Sequence, residues 1–268
     1  MVIADPLFYA AAIPAVLLTG ISKGGFGSAL GGVGVPLMAL AISPVHAAAI
    51  LLPVLCFMDL AGVRAYYRKW DTGNLKIMLP GAMLGVALGT ATFGLLSENA
   101  IRVMIGAIAV AFPLHAWLRA GASPQAAPRS FLKGTFWSGV SGLTSFLAHA
   151  GGPPAMIYVL PQRLDKITCV ATVNAFFMAV NAVKLVPYSF LGQFSAANLG
   201  TSLVLAPLAP LGVWLGLRLQ DRVDTAWFYR ISQACLLATG VQLLCQGLSL
   251  PMPSMPPLPA VASPGHAR

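Results

Sequence analysis

Apolar residues in this chain run in long stretches rather than alternating with polar ones, and short polar clusters punctuate them. The stretches fall at 6–22, 33–42, 45–65, 75–96, 100–118, 133–148, 154–162, 167–191, 199–217 and 226–247. Most approach the ~20 residues a helix needs to cross a bilayer. The pattern predicts an all-α membrane protein with about eight to ten crossings. That range reflects two stretches that do not read as ordinary helices. One is 20–36, where Gly20, Gly24, Gly25, Gly27, Gly31, Gly32 and Gly34 lead to Pro36; the other is 145–154, where Gly151 and Gly152 precede Pro153 and Pro154. Gly costs ~1 kcal/mol in a helix interior and Pro ~3 kcal/mol, so both stretches should unwind. Irregular backbone survives at membrane depth only where protein buries it or it lines a cavity. Each break and its flanks form either two crossings or one re-entrant hairpin, and both leave the sidedness of later helices unchanged.

The two breaks belong to a repeat. Pro80, Gly85 and Gly89 align without a gap on Pro207, Gly212 and Gly216, while Gly34 and Pro36 answer Gly152 and Pro154. The boundaries this gives are a first transmembrane repeat at 1–118, a cytoplasmic linker at 119–132, a second repeat at 133–247, and a disordered Pro-rich tail at 248–268. The pairs Gly85/Gly89 and Gly212/Gly216 have the small-xxx-small spacing of close helix contacts. The clustered glycines of 20–34 and 151–152, beside a Ser and a Lys, read instead as a binding segment.

Charge then orients the chain. Arg64, Arg68, Lys69 and Lys76 bracket one loop, Arg119, Arg129 and Lys133 another, and Arg218 and Arg222 a third, whereas 193–198 carries no charge. By the positive-inside rule the basic loops are cytoplasmic. Corresponding loops at 73–75 and 197–199 then lie on opposite sides, so the repeats are expected to have inverted topology. Inverted repeats with interrupted helices are a transporter architecture, with the substrate held near the midplane. The first residues lack the basic region of a secretory leader, which reads the first stretch as a retained helix.

Composition excludes other classes. The chain is 57% hydrophobic and only 9% charged, with mean hydropathy +0.80, against about 25% charged in soluble domains. The formal charge of +9 comes from single or paired basic residues at the ends of apolar runs. No aromatic-interleaved basic patch suggests nucleic acid. Cys56, Cys169, Cys235 and Cys245 sit inside apolar runs, without CxxC or His at metal spacing. No metal, cofactor or disulfide framework is expected, and no nucleophile–base motif points to an enzyme.

With its Gly-rich, Pro-terminated segments at 20–36 and 142–154, each followed by apolar helices, a Gly/Asn or Ala/Asn loop and a Pro/Gly-rich helix, the chain resembles the sulfite exporter TauE/SafE family over about 6–247. The second segment departs from the usual triple glycine and reads His149, Ala150, Gly151, Gly152. The resemblance implies an inner-membrane secondary transporter that exports sulfite or organosulfonates such as sulfoacetate. An importer of another oxyanion, or a non-transporting membrane subunit, is the alternative. The expected partners are a small anion and the lipid bilayer.

An anion entering the membrane needs replacements for its water, which backbone N–H groups at helix N-termini can supply. Gly24, Gly25, Gly31, Gly32, Gly151 and Gly152 would allow close main-chain approach, with Ser22, Ser28, Thr144 and Ser145 as hydroxyl donors. Lys23 and Lys184 are intramembrane cations, and such residues are usually functional; for Lys23 the competing reading is a cytoplasmic lysine at a helix end. Asp59 matches Asn181 when the halves are registered on Tyr66 and Tyr188. It either carries a coupling proton or pairs with a lysine. His149 is a second candidate for proton coupling, or a packing histidine. Asn174 and Asn181 share a helix face and either line the path or bond across helices.

Overall fold

The polar residues that interrupt the apolar runs turn out to be helix caps. Asp5, Ser43, Asp71, Ser130, Asp165 and Ser195 each accept a hydrogen bond from a backbone N–H in the first turn of the helix that follows, satisfying donors that have no intrahelical partner. The helices are α1 (Pro6–Gly25), α2 (Gly34–Met38), α3 (Pro44–Ala65), α4 (Thr72–Thr92), α5 (Glu98–Leu118), α6 (Phe131–Ala148), α7 (Gly152–Val159), α8 (Lys166–Phe190), α9 (Ala196–Leu205) and α10 (Leu208–Gln220). The computed structural model describes residues 2–3, 5–28, 31–93, 95, 97–118, 126–220, 222, 234, 237–238 and 240–248. Among these there is no strand, and residues 240–247 form a further stretch of helix. Residues 119–125 of the expected linker at 119–132, the tail beyond 248, Cys235 and most of 226–239 lie outside the described residues, and α6 begins within the linker's last two residues.

Spans at Pro6–Gly25, Pro44–Ala65, Thr72–Thr92, Lys166–Phe190 and Ala196–Gln220 are long and apolar enough to cross a membrane. The last is interrupted after Leu205, where Pro207 and Pro210 cannot donate to the preceding turn. The short α2 and α7 do not cross alone. Five and eight residues make roughly 7.5 and 12 Å at ~1.5 Å per residue, against about 30 Å of hydrocarbon. Each doubles back along the long helix before it: Gly34 lies against Thr19 of α1, and Gly134 of α6 against Tyr158 of α7.

The two halves interlock. α4 runs along α6 and α10 along α1, so each Gly/Pro-rich helix packs on the opposite half. Glycines make these contacts possible. A Cβ on Gly85 or Gly142 would strike the carbonyl of Gly139 or Ala82, and one on Gly20 would lie 2.8 Å from the Cα of Gly212. Gly85, Gly89, Gly212 and Gly216 therefore do what their spacing predicts. Gly20, Gly24 and Gly25 behave differently from the broken segment expected of them. They stay helical, since α1 runs on to Gly25, and Gly24 and Gly25 press on Val213 and Gly216 of α10. Close backbone packing offsets their low helix propensity, and the break begins at Phe26.

The basic loops gather at one end of the bundle. There Arg129 pairs with Asp71, Lys166 Nζ donates to the Gln220 carbonyl, and Asn74 donates to Gln162. The other end joins the N-terminal segment to α9, through the Ile3 N–H on Thr201 Oγ1, and holds the uncharged turn before α9.

Candidate functional site

The two chain breaks meet α3 and α8 in the interior of the bundle. Beyond α1 the backbone turns through Gly27 (φ 63°) and Ser28 (φ 59°), and beyond α6 through His149 (φ 51°). Ser28 and His149 thus hold a left-handed conformation that non-glycine residues seldom adopt. Such strain persists only where surroundings enforce it. Here hydrogen bonds do so: Ser28 N–H reaches the Ser22 carbonyl, while the His149 and Ala150 N–H groups reach the carbonyls of Ser145 and Thr144.

Between these turns lies a narrow chamber walled by Lys23 and Ser28 from the first half, and by Ser145, His149, Gly152 and Asn181 from the second. Leu55 of α3 and Phe177 of α8 complete it. It holds about one water-sized sphere, so its walls must part to admit an anion. Phe177 was not foreseen from the sequence. It shares a helix face with Asn174, Asn181 and Lys184, the spacing that would have revealed it, and its ring lies 5.7 Å from Lys23 Nζ.

The buried lysines have unlike surroundings. Lys23 pairs with Asp59, and the second Asp59 oxygen accepts from Asn181 Nδ2 at 2.6 Å. Asn174 Nδ2 holds the Lys23 carbonyl at 2.9 Å. Asp59 is therefore a paired carboxylate, and both asparagines bond across helices. Lys184, wholly buried, has no carboxylate partner among the described residues. Its Nζ donates to the Ser145 carbonyl at 2.8 Å and to Ser145 Oγ at 3.0 Å, and lies 2.7 Å from His149 Nδ1. His149 Nε2 lies 2.8 Å from the Ala48 carbonyl. A carbonyl only accepts, so Nε2 carries a proton and donates to it. With the proton on Nε2, Nδ1, which also lies 3.1 Å from the Ser145 carbonyl, can accept from the nearer Lys184 Nζ.

Other candidate residues have structural partners. Ser22 lends its carbonyl to the turn after α1; the Gly24 carbonyl accepts from Tyr66; Thr144 Oγ1 donates to the Val140 carbonyl. Gly31 opens a 3-10 turn, Gly32 abuts Ala150, and Gly151 is too close to Ser141 and Ser145 for any side chain. Pro153 and Pro154 leave the first turn of α7 without two donors, and α2 is a single short turn containing Pro36. What the chamber offers an anion is side chains: Lys23 stands in its wall, and Lys184 lies directly behind the lining residues Ser145 and His149. Ser28 Oγ and Asn181 Oδ1 are buried there without a hydrogen-bond partner, the kind of polar atom that awaits a ligand or water.

No group of three or more His, Cys, Asp or Glu side chains suited to a metal occurs among the described residues. No curated protein and no solved structure matches the chain. The family described as Sulfite exporter TauE/SafE matches residues 12–243. Nearly the whole of the helical core falls within that match, and the chain belongs to the sulfite exporter TauE/SafE family of membrane transporters.

Proposed function

We propose that the protein is a multi-pass secondary transporter of the bacterial inner membrane that moves sulfite or an organosulfonate such as sulfoacetate outward. The observation that carries this reading is Lys184. Buried charges are normally paired, and this one is held only by neutral acceptors beside a chamber. An anion supplies the missing partner. Ser28, Ser145 and Asn181 surround it with polar atoms, and Gly152 leaves room for it.

An inverted repeat fits the packing. The bond from the Tyr66 hydroxyl to the Gly24 carbonyl has its counterpart in that from Tyr188 to Phe146, over the same sequence separation. Exchange of the Gly/Pro-rich helices between halves suits a substrate site at their contact. Outward movement follows from charge: an inside-negative potential favours anion exit by about 2.3 kcal/mol per charge per 100 mV.

The test uses purified protein in liposomes loaded with labelled sulfite, sulfoacetate or sulfate. Efflux of sulfite or sulfoacetate, accelerated by an inside-negative potential and abolished by Lys184→Met, is the expected result. Folded protein that moves none of the three anions would sink the proposal.

A further inference from the structure

The charges around the chamber can be counted. Lys23 and Asp59 neutralise each other, and Asp59 has no oxygen to spare, since Asn181 holds the second. Lys184 and His149 face each other at 2.7 Å, a distance at which the two nitrogens hold one proton between them. With Lys184 protonated, the form that a bound anion favours, the group as a whole carries one uncompensated positive charge. All these side chains are 4% exposed or less, so bulk water cannot screen an imbalance.

From this count we infer that the site is built for a single negative charge, and that Asp59 is the residue that fixes this valence. The inference rests on the anion reading above and narrows it to monovalent oxyanions, simple alkanesulfonates and sulfite in its hydrogen form, at the expense of sulfoacetate, whose carboxylate makes it a dianion near neutral pH. A monoanion beside Lys184 leaves the chamber neutral. A dianion leaves one negative charge buried without a partner, which is disfavoured by about two decades in affinity or more. Removing the Asp59 charge would release Lys23 as a second unpaired cation and make room for two negative charges.

Methanesulfonate and sulfate are a matched pair of probes. Both are tetrahedral sulfur oxyanions of similar size, and neither changes charge near neutral pH. Initial flux of each into proteoliposomes, below saturation, should favour methanesulfonate by about a hundredfold in the native protein. Asp59→Asn should bring that ratio to one or below. Lys23→Met combined with Asp59→Asn restores the original charge and should restore the preference, an outcome that a purely structural role for Asp59 does not produce. The native ratio needs no variant and stays decisive if Asp59→Asn fails to fold. Sulfate moving as well as methanesulfonate in the native protein, or an unchanged ratio in folded Asp59→Asn, overturns the inference while leaving anion transport standing. Movement of neither probe, nor of sulfite, overturns the anion reading and this inference with it.

Discussion

Asn181 Nδ2 donates to Asp59 Oδ2 across the contact of α3 and α8, and these two residues are the ones that fall in register when the halves are aligned on Tyr66 and Tyr188. Two residues in that register thus meet across α3 and α8, one charged and one neutral. The same asymmetry recurs beside them. Lys184 reaches Ser145, whose counterpart in that register is Lys23. The first half carries an ion pair where that register places Ser145 and Asn181, and Lys184 stands opposite Gly62.

Lys184→Met separates function from stability. The methylene stem is kept and the buried charge removed, and replacing an uncompensated buried ion by an apolar side chain is commonly neutral or stabilising. Anion flux should fall by about a hundredfold or more, while thermal unfolding of the detergent-solubilised protein stays at or above the native midpoint. A variant that unfolds at lower temperature and still transports would show that Lys184 is a structural residue.

The Lys23–Asp59 pair should behave in the opposite way. Lys23→Met strands a carboxylate at 1% exposure, which costs about 3–5 kcal/mol when a buried pair is broken. Adding Asp59→Asn relieves that strain, so the double variant should be more stable than Lys23→Met alone. Denaturant unfolding of native, single and double variants closes the cycle. Additive losses would mean that the two groups do not interact.

The α-helical membrane class was legible because long apolar runs with basic ends have few other meanings, and the caps Ser43, Asp71 and Ser195 stood where those runs began. Asp59 and Asn181, set side by side by the register on Tyr66 and Tyr188, are in contact across α3 and α8. What the chain alone could not say was which glycines break a helix and which pack one. Gly24 and Gly27 look alike in sequence, yet the first sits in α1 against Val213, whereas the second adopts φ 63° in the turn. The difference lies in α10, nearly two hundred residues away. Likewise, Lys23 and Lys184 both read as intramembrane cations, and only their neighbours show that one is already paired.

The packing glycines give a prediction of their own. At Gly85 a side chain would meet the Gly139 carbonyl and sit 2.7 Å from the Leu143 nitrogen, with backbone that cannot step aside. Gly85→Val should lower stability by about 1–3 kcal/mol or more, the cost of overpacking, seen as a depressed unfolding temperature. Gly192, at positive φ where Gly85 is helical, and with nothing within 4 Å of an added Cβ, should tolerate Asn with little change. Equal losses at both positions would mean that backbone conformation, not helix contact, governs these sites.

Sidedness can be tested independently of transport. Arg129, Asp71, Lys166 and Gln220 meet at one end of the bundle, and the uncharged turn around Gln193 lies between α8 and α9 at the other. If the basic end faces the cytoplasm, a cysteine placed at Lys69 in a protein whose own cysteines have been replaced should be blocked by a membrane-impermeant maleimide only after the cell is opened. One placed at Gln193 should react in intact spheroplasts. Both sites lie in segments joining helices, and Lys69 and Gln193 make no ion pair among the described residues, so neither substitution should disturb the fold. The reverse labelling pattern would place Lys23 at the outer rather than the cytoplasmic end of α1. The chamber would survive that inversion, but the potential would then act on an anion approaching it through the opposite half.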